Sequence, residues 1–174
     1  MTTTPTPQQV GRVQGAIDRI LDGDADRYVG AYYNAEARSY PTAKGVLFAG
    51  RYFDELQTNN VRAFTVGDLA AASLLDVRFG PHVVLELLER EECNTLLTDI
   101  PSDVPLWAAT DEQLARNSAA WRLWTRLVSI PVVGTTRASK LLARKRPHLM
   151  PILDSVIIDA LHLEGLDGWL ALRA

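Results

Sequence analysis

Residues 130–154 read IPVVGTTRASKLLARKRPHLMPILD, and this stretch decides how the fold is interpreted. Pro131 and Gly134 break one helical pattern, and a second helical pattern resumes directly after them. Two helices joined by so short a turn meet at a sharp angle, and the small Ala138 lets their backbones approach. The stretch therefore predicts a helical hairpin, followed by a proline-bounded loop that ends at Asp154.

The rest of the chain also carries helical patterns, and alternation with a period of two is nowhere sustained. Thr65, with Asp68 three residues later, predicts a capped helix, and Pro81 suits the first turn of the next helix. Residues 1–8 are rich in Thr, Pro and Gln and predict a disordered tail. The predicted fold class is all-α, with a single domain over residues 9–174.

The longest predicted helix covers residues 111–130 and leads directly into the turn of the hairpin. Thr110 or Asp111 is its predicted N-cap. The predicted hairpin therefore covers about residues 111–143, and the loop and helix that carry the aspartate cover 144–162.

The composition excludes several classes of protein. No stretch approaches the roughly 18 consecutive apolar residues that a membrane span requires, and the first residues lack the features of a secretory signal. A single cysteine, Cys93, excludes an internal disulfide framework and suits a reducing compartment. The three histidines do not combine with it in the spacing of zinc ligands. We therefore expect a cytoplasmic protein without a membrane segment, a metal site or an organic cofactor.

Charge is distributed unevenly along the chain. Residues 113–153 contain eight Lys and Arg residues and no acidic residue, whereas the remainder holds 10 basic and 21 acidic residues, a net charge of −11. This layout is typical of a protein that binds a polyanion on one face. A solvated basic surface beside an acidic neighbour is the alternative explanation.

The turn of the hairpin is the predicted phosphate-binding element. Gly134 has no Cβ, so it can adopt a positive φ and expose the backbone N–H groups at the start of the next helix. Those N–H groups, together with the helix dipole, form an anion site suited to phosphate. The predicted nucleic-acid contacts are the turn and its basic flank: Val133, Gly134, Thr135, Thr136, Arg137, Lys140, Arg144, Lys145 and Arg146.

The segment IPVVGTTRASKLLA resembles the helix-hairpin-helix motif, whose usual form is Leu-Pro-Gly-Val-Gly-x-x-Thr-Ala. In the helix-hairpin-helix DNA glycosylases, a proline-containing loop follows the motif and ends in a catalytic aspartate, and PHLMPILDSVI is similar to that loop. Asp154 falls twenty positions after Gly134, as the aspartate of those glycosylases does. Through FTVGDLAAASLL and KLLARKRPHLMPILDSV, the chain also resembles an actinobacterial family of unknown function.

The glycosylase resemblance implies a specific chemistry and partner. It implies double-stranded DNA as the partner, and Asp154 as the carboxylate that stabilises an oxocarbenium-like sugar or activates water after a base has flipped out. It also implies a monovalent cation at the hairpin turn. Val132 departs from the motif, because it stands where the motif has its first glycine. Thr136 stands where bifunctional members keep a nucleophilic lysine, so Schiff-base chemistry is not expected.

An alternative hypothesis starts from the same aspartate. Asp154 precedes Ser-Val-Ile-Ile and is therefore also a good helix N-cap. The protein would then be a non-enzymatic helical interaction domain, whose hairpin packs internally or docks an acidic protein. The two hypotheses differ in whether Asp154 lies in an open pocket that the Gly134 turn and the basic face border.

Overall fold

The computed structural model describes residues 3–33, 49–165 and 167–174, and within those ranges it contains helices and no strand. The all-α prediction is confirmed. Short 3-10 helices lie at Ala49–Tyr52 and Leu106–Ala108. The α-helices in chain order are α1 (Pro7–Leu21), α2 (Ala25–Tyr33), α3 (Val66–Ser73), α4 (Pro81–Leu88), α5 (Glu92–Thr98), α6 (Asp111–Leu114), α7 (Ala119–Ser129), α8 (Gly134–Lys145), α9 (Ser155–Ala160) and α10 (Gly168–Arg173).

The helices α7 and α8 form the predicted hairpin and lie at the centre of the fold. They pack against each other, with α5 against α7 and α3 against α8. Leu123 and Leu127 of α7 and Leu141 and Leu142 of α8 are buried in the shared core. Their spacing of one and four residues places each pair on one face of its helix, so the hairpin is held together by apolar burial.

The predicted helix at 111–130 is wrong in its length, because the structure divides it into α6 and α7. Thr110 caps α6, and Ala115 after it has an extended backbone. The Ser118 side chain then caps α7 by accepting the N–H of Trp121 at 3.1 Å. The hairpin therefore covers α7 and α8 rather than residues 111–143.

Two local predictions elsewhere in the chain are confirmed. Thr65 and Asp68 form a capping box at the start of α3, with the Thr65 N–H donating to Asp68 Oδ2 at 2.7 Å. Pro81 lies in the first turn of α4. The helix α5 was not predicted. Only Cys93 and Leu97 of its seven residues are buried, and two apolar positions are too few to reveal a helical periodicity in the sequence.

The predicted disordered tail does not extend over residues 3–8. The Thr3 N–H donates to the carbonyl of Gly165 at 3.0 Å, and Thr3 accepts the N–H of Asp167 at 2.9 Å. Thr6 then caps α1 in a capping box with Gln9. These contacts bring the start of the chain against its last helix, because α1 packs on α10.

Candidate nucleic-acid interface

The turn between α7 and α8 holds Val132 and Gly134 in the left-handed region, with φ angles of 64° and 61°. Val133 between them has a right-handed backbone and a buried side chain, and its N–H donates to the Ile130 carbonyl at 3.1 Å. The left-handed region costs an L-residue roughly 1–2 kcal/mol, and a β-branched residue there is a genuine outlier. Val133 therefore anchors the turn in the core, while Val132, which is 74% exposed, carries backbone strain at the surface.

The start of α8 differs from the starts of α7, α9 and α10. Those three helices begin at a Ser or Asp whose side chain accepts one of the first N–H groups. The N-cap of α8 is Val133, so no side chain of the described residues caps this helix. Gly134 and Thr135 are exposed, and a Cβ placed on Gly134 would meet nothing within 4 Å. The first N–H groups of α8, on Gly134, Thr135 and Thr136, therefore have no side-chain acceptor among the described residues and lie at the positive end of the helix.

Arg137 places one positive charge beside this turn. Its guanidinium donates from Nη1 to the Val132 carbonyl at 2.8 Å and from Nε to the Arg78 carbonyl at 2.9 Å. The side chain is partly exposed and links the turn to the loop before α4. Since Arg137 already occupies the Val132 carbonyl, the chain itself supplies positive charge where the resemblance implied a monovalent cation.

The other four predicted basic contacts are wrong, because the structure buries them. Lys140 is 8% exposed, and Arg144, Lys145 and Arg146 are 2% exposed or less. Lys140, Arg144 and Lys145 lie on α8 and Arg146 is its C-cap. Their side chains point to the end of α3, to residues 53–61 and to residues 97–100. These side chains cannot reach a phosphate at the protein surface.

The buried cations serve as hydrogen-bond donors to the backbone of other segments. Lys145 donates to the carbonyl of Asn60 at 2.9 Å, and Lys140 donates to that of Leu75 at 2.8 Å. Arg144 donates to four backbone carbonyls. The Arg144 acceptors, at 2.6–2.9 Å, are Phe53, Asp54, Leu56 and Gln57. Buried carbonyls need a donor, so the basic run ties residues 53–61 to the central hairpin.

Asp68 of α3 is the acidic partner of this cluster. It is 1% exposed, forms an ion pair with Lys145 Nζ and lies 3.5 Å from Arg144 Nε. Burial lowers the pKa of Lys145, and the hydrogen bond to Asp68 opposes that change. Burial also lowers the pKa of Arg146. The sequence shows no acid near the basic run, because the acid that pairs with it arrives from another helix.

Asp154 occupies the N-cap of α9. Its Oδ1 accepts the N–H of Ile157 at 3.1 Å, and the residue is partly exposed. Ser139 of α8 holds the loop in front of it: Ser139 Oγ accepts the N–H of Leu153 at 2.5 Å and donates to the Pro151 carbonyl at 3.3 Å. Sequence reasoning missed Ser139, although a small hydroxyl on the buried face of a hairpin helix is a usable signal. The structure thus fixes Asp154 relative to α8.

Comparison with protein families places the chain in a known group. The profile of a family of unknown function (DUF6308) matches residues 25–174. The chain belongs to this family. That result confirms the resemblance to a family of unknown function. No curated protein and no solved structure matches the chain.

A cavity of about 150 Å³ lies beside the turn in this DUF6308 chain. Thr135 and Leu153 contribute to its wall, together with three tryptophans and Asp167. Leu153, rather than Asp154, is the residue of this loop that lines it. Asp154 therefore follows a lining residue of the cavity in the sequence, and its Oδ1 caps α9.

None of the helices in the described ranges of the chain combines the length and the apolar character that a membrane span needs. No group of three or more His, Cys, Asp or Glu side chains in those ranges is placed to hold a metal ion.

Proposed function

We propose that the protein binds double-stranded DNA through the turn between α7 and α8, as a helix-hairpin-helix protein related to the base-excision DNA glycosylases. The uncapped start of α8 carries the proposal: no side chain of the described residues accepts its first N–H groups, and Gly134 there is exposed and left-handed. A phosphate oxygen is the acceptor that such a helix terminus favours. Arg137 adds one positive charge beside it.

The buried cations set the expected strength of binding. Because those four cations are buried, the proposed phosphate contacts reduce to Arg137 and the N–H groups of Gly134, Thr135 and Thr136. These groups suffice for one or two phosphates. Each neutralised phosphate contributes about −0.9 to the slope of log K against log salt, so we expect a shallow slope of roughly −1 to −2. Contacts to phosphate carry no sequence information, so binding to different duplex sequences should be similar.

The test is Thr135→Glu, measured by fluorescence anisotropy on a short labelled duplex across a salt series. A carboxylate in the first turn of α8 interacts favourably with the helix dipole, so the thermal midpoint should stay unchanged or rise slightly. The same carboxylate repels phosphate, so duplex affinity should fall about tenfold or more, a loss of about 1.4 kcal/mol. Binding and stability therefore change in opposite directions.

A matched control and a gain-of-affinity variant complete this test. Ser102→Glu makes the same charge change in an exposed loop near Ile100, which Arg146 binds at the other end of α8. It should leave affinity within twofold. Val132→Gly removes an exposed isopropyl group from the turn and should raise affinity. Equal losses in both glutamate variants, or no binding by the wild type, would refute the proposal.

We further propose that Asp154 is the catalytic carboxylate of a monofunctional N-glycosylase. Its support is the motif spacing, the Ser139 clamp on the preceding loop and the neighbouring cavity. Asp154→Asn retains an N-cap, because asparagine caps helices as well as aspartate does, so the fold should persist. Base release from a responsive lesion-bearing duplex should fall about a hundredfold or more, measured as alkali-sensitive sites. Equal rates in the two proteins would contradict the role of Asp154.

The alternative function is a non-enzymatic interaction domain, and the capping of α9 by Asp154 favours it. In that case the hairpin packs internally or docks an acidic protein, and the wild type neither binds a duplex nor releases a base from any lesion in a broad panel. Borohydride trapping should fail under either function, because Thr136 stands where a lysine would form the Schiff base. The absence of both duplex affinity and base release would select the alternative, whereas duplex affinity without base release would contradict only the role of Asp154.

A further inference from the structure

The cavity beside the turn has an aromatic wall made by three tryptophans. Trp121 and Trp124 lie one turn apart on α7, and Trp169 comes from α10. The Trp169 ring is nearly perpendicular to both, with centroids 5.3 Å from Trp121 at 83° and 5.8 Å from Trp124 at 77°. These are edge-to-face contacts, so the three rings pack against one another and together form one wall of the cavity.

The polar side of the cavity is a buried carboxylate. Asp167 is 3% exposed, and its Oδ1 accepts the N–H of Leu170 at a long 3.4 Å. None of the ion pairs between described residues involves Asp167. A buried carboxylate without a charged partner is costly. A cation in the cavity would offset that cost.

The charges around the cavity favour the same ligand class. Its lining contains Asp167 and three electron-rich indoles, and none of the described residues that line it is a lysine, arginine or histidine. Arg116 lies over the Trp121 ring, 4.9 Å from its centroid, so this ring already accepts one cation. Asp167 also borders a second cavity, which Arg116 and Arg173 line, while Arg173 forms an ion pair with Asp111. The charged side chain in the lining of the aromatic cavity is therefore a carboxylate, which favours a cation over phosphate.

We propose that this cavity binds a compact organic cation, a methylated ammonium group, between the tryptophan rings and the Asp167 carboxylate. Aromatic rings attract quaternary and methylated ammonium groups through their quadrupoles, and tryptophan does so most strongly. A volume of about 150 Å³ suits such a head group and lies below the roughly 300–1,000 Å³ of sites for drug-sized ligands. Thr135 lines this cavity and also belongs to the proposed phosphate site, but the cation proposal is argued from the tryptophans and Asp167 and does not require DNA binding.

The experiment titrates the full chain with choline and with tetramethylammonium, following tryptophan fluorescence and ligand-observed NMR at constant ionic strength. The matched probe is the neutral alcohol in which a carbon atom replaces the nitrogen of choline. Choline should saturate with a Kd on the order of 1 mM. The neutral alcohol has the same shape without the charge, so it should bind at least about tenfold more weakly.

Asp167→Asn tests the carboxylate, because asparagine preserves the N-cap of α10 and removes the charge. Choline affinity should fall about tenfold while affinity for the neutral alcohol stays unchanged. Asp111→Asn makes the same charge change on an exposed residue nearby and should leave choline binding intact. Trp124→Phe tests the aromatic wall with little loss of apolar packing, and it should weaken choline binding independently of Asp167.

Several outcomes would overturn the proposal. Equal affinity for choline and the neutral alcohol would show an apolar cavity without cation selectivity. No saturation by either ammonium probe would show that no such site exists, as would unchanged choline affinity in a folded Asp167→Asn variant. Saturable binding of a free nucleobase in place of choline would instead assign the cavity to base recognition. None of these outcomes tests duplex binding through the α8 turn, which the Thr135→Glu experiment tests.

Discussion

Arg146→Met should lower the free energy of unfolding by about 3–5 kcal/mol, measured by urea denaturation. Arg146 is 2% exposed, and its guanidinium donates to the carbonyls of Val61 and Ile100 at 2.9 Å and to that of Leu97. Methionine fills much of the same volume but donates nothing. The variant therefore leaves several buried carbonyls without a donor, each at a cost of roughly 1–3 kcal/mol, while apolar burial of methionine recovers part of the loss.

Two companion variants separate this effect from a general loss of positive charge. Arg122→Met removes an exposed arginine from α7 and should change stability by no more than about 0.5 kcal/mol. Arg146→Lys keeps the charge but loses the planar fork that reaches several carbonyls at once, so its loss should be intermediate. A change below about 1 kcal/mol in Arg146→Met would mean that water replaces the guanidinium at those carbonyls.

Asp68→Asn should also destabilise the fold by about 3–5 kcal/mol, because it leaves Lys145 and Arg144 buried without their acidic partner. Asparagine can still accept the Thr65 N–H that closes the capping box, so the loss reports mainly on the missing charge. Urea denaturation near neutral pH measures it. Unchanged stability would show that the backbone acceptors alone hold the buried cations.

The pH dependence of this variant follows from Lys145. Burial already lowers its pKa below the usual 10.5, and removing Asp68 lowers it further in the folded state only. Between the folded and unfolded pKa values, the unfolded chain then binds more protons, so stability rises with pH across that range. Asp68→Asn should therefore gain more stability than the wild type as the pH rises towards the unfolded-state pKa of 10.5.

Adding Lys145→Met to Asp68→Asn provides the control for this pH effect. The double variant has no buried ammonium, so the excess gain with pH should disappear. The double variant should also be more stable than Asp68→Asn alone near neutral pH, because an unpaired buried charge costs more than an apolar side chain of similar volume. A persistent pH effect in the double variant would assign it to a group other than Lys145.

The hairpin and several helix starts were predictable because their causes are local. The capping box of Thr65 and Asp68 joins residues three positions apart, and the turn follows from Pro131 and Gly134. Backbone conformation and first-turn hydrogen bonds depend on such near neighbours. The same reasoning failed over residues 111–130, where apolar residues at helical spacing predicted one continuous helix. The structure instead starts a new helix at Ser118.

The candidate site was predictable only in part. Gly134, Thr135 and Thr136 lie at an exposed helix start, as the motif requires, and Arg137 lies beside them. The cavity lined by three tryptophans was not predicted, because it forms only where α7 and α10 meet. Asp154 caps α9, a role that its local sequence already indicated.

The basic run at 140–146 shows most clearly what depended on tertiary structure. Its residues, spacing and lack of acidic neighbours are visible in the sequence, and they fit either an exposed phosphate-binding face or a buried cluster. The choice depends on carbonyls from residues 53–61 and 97–100 and on the carboxylate of Asp68. These groups lie far away along the chain and approach α8 only after folding. A lysine or arginine is buried where enough acceptors converge on it, and only the packed chain brings those acceptors together.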